Sequence, residues 1–224
     1  MPRVAHPYEN LADLLEHLGD IDPRRIHTNP APGCATEKDV LRLLNRENRL
    51  FELVDGTLVE KTMGMKEAML AMFLGKRVKD FADLHDLGDV AGADGTLKLM
   101  NKLIRIPDVA FFSWDRLPNR EYPAEPIPDL TPDLAVEVLS PNNTLKEIER
   151  KLKEYFLSGT QLVWVVDPDA RTVKAHTAPD QFEILSEADT LTGGDVLPGF
   201  ALPLKQLFAR VPRVKPPRRK RKGA

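Results

Sequence analysis

Apolar residues recur along this chain with two different periods, and the switches between them mark out its elements. Leu11, Leu14, Leu15 and Leu18 repeat at helical spacing; the DPRRIHTNPAPG that follows, with prolines at 23, 30 and 32, reads as a linker or a surface-hugging loop. Thr36 opens a helix, since a hydroxyl cap is followed three residues later by Asp39 and then by Val40, Leu41, Leu43 and Leu44. In FELV-DG-TLVE two β-prone runs flank Asp55-Gly56, a two-residue loop suited to a type I′ turn. Residues 65–82 form a second helix, with Met69, Met72, Phe73, Leu74, Val78 and Phe81 spaced by threes and fours. Short strands are expected at 88–91, 96–99 and 102–106, and then in PDVAFFSW. Beyond a Pro-rich loop at 118–132 come the strand PDLAVEVLS, a helix from Asn142 to Ser158, the buried strand QLVWVVD, the pair TVKAHT and FEILS, and a short helix from Pro203 to Ala209.

The order is mixed α/β, with a helix between the two most apolar strands, as a right-handed parallel crossover requires. At 224 residues the chain has room for one domain of roughly 150 to 200 residues plus tails. The expected division is an N-terminal extension at 1–35, a single domain at 36–209 and a basic, disordered tail at 210–224. No apolar run approaches the ~18 residues of a membrane span, and the N-terminus lacks the apolar core of a signal peptide. The single Cys34 fits a reducing cytoplasm, and one Cys with five scattered His argues against a zinc site. Any metal is therefore expected to be a hard cation held by carboxylates. Eight basic residues and no acid lie between Arg210 and Ala224, so the net charge of −2 conceals an acidic body, with 24 Lys+Arg against 34 Asp+Glu. Such a body is a poor general binder of nucleic acid, whose affinity comes mainly from Lys and Arg. The tail either supplies that attraction or is a solvated terminus, and the sequence leaves both readings open.

Two strand starts share one pattern, Pro107-Asp108-Val-Ala-Phe and Pro132-Asp133-Leu-Ala-Val-Glu137-Val. Alternation puts Asp133, Ala135 and Glu137 on one face of the second strand, so Glu137 falls inside a strand otherwise fit for complete burial. A buried carboxylate needs compensation. A divalent cation, an Arg or Lys partner, or an edge position in water would each provide it. On the helix that follows, Leu145, Ile148, Leu152, Tyr155 and Phe156 form the apolar stripe, and Glu147, Lys151 and Tyr155 run up one edge of it. Lys151 is thus placed to reach toward Glu137. The plain alternative is an i,i+4 pair with Glu147, worth only ~0.3–0.5 kcal/mol, so Lys151→Ala is expected to leave the fold nearly intact.

The words FELVDGTLVE, RIPDVAFFSWDRLP, PDLAVEVLSPNNT, ERKLKEYFLSGTQLVWVVDP and DVLPGF, in this order, closely resemble the Uma-two family of restriction endonuclease-like proteins, within the PD-(D/E)XK nuclease superfamily, over about residues 36–208. The resemblance implies a restriction-endonuclease-like central mixed β-sheet flanked by helices. It makes Asp108 the first acid and Glu137 the second. Most superfamily members carry a lysine two residues after the second acid, where this chain has Leu139; the family's relocated lysine matches Lys151, four residues before Tyr155. Glu52 matches the acid before the first hairpin. Glu147 stands where many members have Asp, Lys66 lies near a frequent His, and Gly159-Thr160 replaces a usual Gly-Val. The implied activity is metal-dependent hydrolysis of DNA phosphodiester bonds by a homodimer, with RNA an open alternative substrate. Mg²⁺ or Mn²⁺ would be held by Asp108, Glu137 and the Val138 carbonyl. Lys151 would orient the attacking water or stabilise the phosphorane, Glu52 would hold a water or a second metal, and Tyr155 would position Lys151. A catalytically silent nucleic-acid-binding or regulatory module on the same fold is the rival reading. Asp167-Pro168 is expected to make a turn, Trp114 and Trp164 to be core or edge aromatics, His176 a strand-surface residue, and Asn142-Asn143-Thr144 a helix cap.

Overall fold

The computed structural model describes residues 8–210. A short helix, α1 (Leu11–His17), leads to β1 (Ile26–His27) and to α2 (Glu37–Glu47). Asp39 accepts the Thr36 N–H at 2.9 Å, as the capping pattern requires. The hairpin β2 (Phe51–Val54) and β3 (Thr57–Glu60) turns through Asp55 and Gly56, both left-handed at φ 48° and 79°. After α3 (Met65–His85) come β4 (Gly88–Ala91), β5 (Leu97–Met100), β6 (Leu103–Arg105) and β7 (Val109–Ser113). The chain continues through β8 (Leu134–Val138), α4 (Leu145–Ser158) and β9 (Leu162–Asp167). It then runs through β10 (Thr172–Ala178), β11 (Gln181–Ser186), β12 (Thr190–Gly193), β13 (Leu197–Pro203) and α5 (Leu204–Phe208).

The central sheet has the order β11-β10-β9-β8-β7-β4. It is mixed: β8 and β9, joined through α4, are parallel, while the other neighbours are antiparallel. Alternation sorts its side chains to two faces. Val109, Phe111, Leu134, Val136 and Trp164 pack with Leu70, Leu74 and Val78 of α3. Ala110, Phe112, Ala135, Val163 and Val165 pack with Ile148, Leu152 and Tyr155 of α4. A second sheet, β1-β3-β2-β6-β5, was not distinguished in the sequence pattern, and it brings the first hairpin beside the central sheet. A two-stranded β12–β13 ribbon completes the described strands. It packs on α3 through Phe200, edge-on to Phe81 at 5.4 Å.

Residues 8–35 pack against the first hairpin. Leu14, Leu18 and Ile21 share a core with Val54 and Val59, and β1 pairs with β3. Gly19, at φ +86°, lets this segment lie on the start of α4, where a Cβ would meet the Glu147 backbone nitrogen at 2.5 Å. Of the two expectations for the Pro-containing segment, linker or surface-hugging loop, the structure follows the second, with a short 3₁₀ turn and a two-residue strand held against the domain. His176 differs from expectation: it is buried beneath Phe182, with ring centroids 4.7 Å apart. The basic tail, from 211 on, lies outside the described residues. Among the described residues, no helix is long and apolar enough to cross a membrane.

Candidate active site

The site is assembled where β7 begins, β8 ends and the first hairpin meets α4. Asp108 precedes β7, and its N–H bonds the Val136 carbonyl at 2.9 Å, which keeps it in register with β8. Asp108 and Glu137 share the sheet face covered by α4, because 108 has the parity of Ala110 and Phe112, and 137 that of Ala135. Both line one cavity of about 20 Å³, enough for roughly one water-sized occupant, together with Glu52, Lys61, Glu67, Val138 and Lys151.

Each acid in this cluster meets a base. The Lys151 ammonium lies 3.0 and 3.2 Å from the two Glu137 oxygens and 3.2 Å from Glu52 Oε1. Tyr155 donates its hydroxyl to Glu137 Oε1 at 2.7 Å. Glu52 is 1% exposed; Arg105 holds its Oε2 at 2.6 Å and the Ile106 N–H reaches Oε1 at 3.2 Å. Both Glu52 oxygens are thereby engaged by neighbouring groups, Oε1 by Lys151 and the Ile106 N–H and Oε2 by Arg105. Asp108 Oδ2 accepts the Val138 N–H at 2.7 Å, and Oδ1 faces Lys61 Nζ at 2.8 Å. Glu147, which spacing alone would pair with Lys151, instead receives Arg25 at 2.7 and 3.0 Å and Asn143 at 3.0 Å.

Electrostatics separates the acids. Burial, with the like charges of Asp108 and Glu52, raises the Glu137 pKa above the ordinary carboxylate value despite Lys151. Burial acts the same way on Glu52, but Lys151, Arg105, Lys61 and the Ile106 N–H outweigh it and hold Glu52 well below that value. Burial alone would lower Lys151; Glu137 and Glu52 reverse the shift and keep it firmly protonated. Burial and the neighbouring carboxylates push Tyr155 far up, so it remains a donor.

For Glu147, burial opposes ionisation, but Arg25, Lys151 and Asn143 prevail and its pKa is lowered. A folded pKa below the unfolded one contributes stability that is present above the unfolded value, about 4.3, and is lost as pH falls through the folded value. Urea midpoints measured from pH 7 to pH 3 should fall accordingly, and Glu147→Gln should flatten the acid end of that profile. A glutamine variant that keeps the wild-type profile would remove Glu147 from this linkage.

The second Pro-Asp motif plays a different part. Asp133, at the opposite end of β8, accepts from the Ser113 N–H at 2.8 Å, Arg116 Nε at 2.8 Å and Gln161 at 3.0 Å, and so ties the end of β7 to the starts of β8 and β9. Arg25, Lys61, Glu67 and Arg105 were not singled out in the sequence. Lys61 and Arg105 end or follow short strands whose alternation would have shown which face they occupy. Arg25 stands among turn residues and gives no such signal.

A mixed sheet with two acids and a lysine gathered at one place, between helices on opposite faces, defines a nuclease-like α/β protein. One solved structure with this fold is "a putative nuclease belonging to DUF820" from Anabaena variabilis, at TM-score 0.63 and 19% identity, covering 72% of this chain and 91% of that one. The Uma2 family model, described as "Putative restriction endonuclease", matches residues 38–205, and the chain belongs to that family. A comparison with curated proteins finds no match.

Proposed function

We propose that this protein is a divalent-cation-dependent endonuclease that hydrolyses phosphodiester bonds of DNA, working in the cytoplasm as a homodimer. The observation that carries the proposal is the convergence of Asp108, Glu137 and Lys151, from three separate elements, on one cavity. The donor set suits Mg²⁺ or Mn²⁺: hard carboxylate oxygens from Asp108 and Glu137, with the Val138 carbonyl as a third protein ligand and water for the rest. When bound, such an ion supplies charge neutralisation at a phosphate and a more acidic water. Lys151, protonated and held by Glu137, Glu52 and the helix, would orient water or meet the negative charge developing on the oxygens of the phosphorane. Tyr155 and Glu52 fix where that ammonium sits, and Arg105 in turn fixes Glu52.

One observation favours a silent nucleic-acid-binding module instead. The acids of the cluster are ion-paired to Lys61, Lys151, Arg105 and Arg25, and no group of three or more metal-binding side chains is gathered among the described residues. A panel of plasmid, duplex, single-stranded DNA and RNA substrates with Mg²⁺, Mn²⁺ or EDTA separates the readings. Cleavage should need the cation and disappear in Asp108→Asn. The same cation should raise the melting temperature of the wild type, since a ligand at 100 times its Kd contributes about 2.7 kcal/mol, and should do so less in Asp108→Asn. Absence of cation-dependent cleavage on every substrate would overturn the enzyme and leave the silent module.

A further inference from the structure

We infer that Lys61 sets the affinity of the proposed centre for a divalent cation, because its ammonium already holds the Asp108 oxygen that the cation would use. The inference rests on the metal reading above and adds to it a residue which neither the motif nor the family resemblance singles out.

Asp108 has two oxygens, and the fold assigns them differently. Oδ2 is tied to the Val138 N–H at 2.7 Å, a backbone donor that cannot leave without unpairing β8. Oδ1 is held by Lys61 Nζ at 2.8 Å, a side chain with four rotatable bonds. The movable partner is the one an incoming cation must compete with. Lys61 is itself placed firmly. Its N–H bonds the Leu50 carbonyl at 2.9 Å, prolonging the β2–β3 ladder one residue beyond Glu60. Its ammonium also donates to the Ile106 carbonyl at 2.5 Å, and its side chain is only 8% exposed. A lysine ordinarily keeps its head in water. Here the head is turned into the acid cluster, where its positive charge also acts on Glu52 and Glu137.

Two consequences follow from the charge. A dication on Asp108 and an ammonium 2.8 Å from the same oxygen repel each other, so binding requires Lys61 to withdraw. Lys151 does not contact Asp108 in this way: its partners are Glu137 and Glu52. The two lysines therefore divide the acids, Lys61 holding Asp108 and Lys151 holding Glu137. Lys61 is a positioning residue for the cation, and removing it should tighten binding while leaving both carboxylates in place.

Isothermal titration of the full-length chain with Mn²⁺, and separately with Mg²⁺, tests this without reference to cleavage. Lys61→Gln and Lys61→Met should each bind at least tenfold more tightly than wild type. Lys66→Met is the charge-matched control: its ammonium pairs with Asp169 at 2.6 Å and lies 3.8 Å from Glu67, and its affinity should stay within about twofold of wild type. In the unmutated chain, Mn²⁺ should also quicken modification of Lys61 by an amine-reactive reagent, read by mass spectrometry, which keeps the test open if both variants fail to fold. Wild-type binding that neither Lys61 variant tightens, equal tightening by Lys66→Met, or Mn²⁺-independent modification of Lys61 would overturn the inference and leave the metal centre standing. No binding by any form would overturn both together.

Discussion

Lys151→Ala should lower the unfolding free energy by about 3–5 kcal/mol, whereas Lys153→Ala, two residues along the same helix, should cost no more than ~0.5 kcal/mol. Position along the helix would make both lysines surface groups of similar small worth. Burial separates them: Lys151 is 4% exposed and Lys153 is exposed. The Lys151 ammonium contacts Glu137 and Glu52, so its removal leaves those carboxylates facing each other in a cavity that excludes most water. Breaking one partner out of a buried pair is costly because the remaining charge has nowhere to be solvated. Urea unfolding at pH 7 reads the difference directly. If the proposed chemistry holds, the same variant should also lose about 10²–10³ in cleavage rate beyond what residual folding explains, while Lys153→Ala keeps its rate. Similar stability losses at both positions would contradict the buried geometry.

Arg25→Ala should cost a comparable ~3–5 kcal/mol, although Arg25 stands outside the 38–205 stretch that the family model matches. Its guanidinium grips both Glu147 oxygens, with the two side chains 7% and 4% exposed, and its Nε also donates to the Glu60 carbonyl at 3.1 Å. Alanine would strand the Glu147 carboxylate with Asn143 as its remaining close partner. Replacing both members, Arg25→Met with Glu147→Met, should recover most of the loss, because no unpaired charge is then left inside. A double variant as unstable as the sum of the singles would mean that the two residues act independently. A single variant of wild-type stability would mean that residues 8–35 contribute little to the domain.

How much of this was legible beforehand depended on whether the signal was local. The Asp55-Gly56 hairpin, the Thr36 cap, the stripes of α3 and α4 and the apolar runs of β8 and β9 are set by backbone sterics, capping and burial periodicity within a few residues, and the expected elements match the observed ones to within about three residues. The ribbon β12–β13 escaped notice because Gly193, Gly194, Pro198 and Pro203 break its alternation, while its stability comes from packing on α3. Alternation also placed Glu137 on an interior face. It could not say whether a cation, a basic side chain or solvent would compensate it.

The sequence by itself determined the order of most elements, the parallel crossover through α4, and the presence of Asp108 and Glu137 near strand ends and of Lys151 within α4, where a fold could bring them together. Spacing left Lys151 open to Glu137 or to Glu147, and the tertiary structure decided between them. Lys151 lies four residues from Glu147, yet it turns to Glu137 and Glu52, because Arg25, 122 residues away along the chain, already fills the space around Glu147. Lys61 finds Asp108 only because the hairpin sheet is laid against the central one. Ion pairing acts through a few ångströms of space and takes no account of distance along the chain. A pattern of residues can therefore announce that a buried charge needs a partner, and only the packing of distant segments can name it.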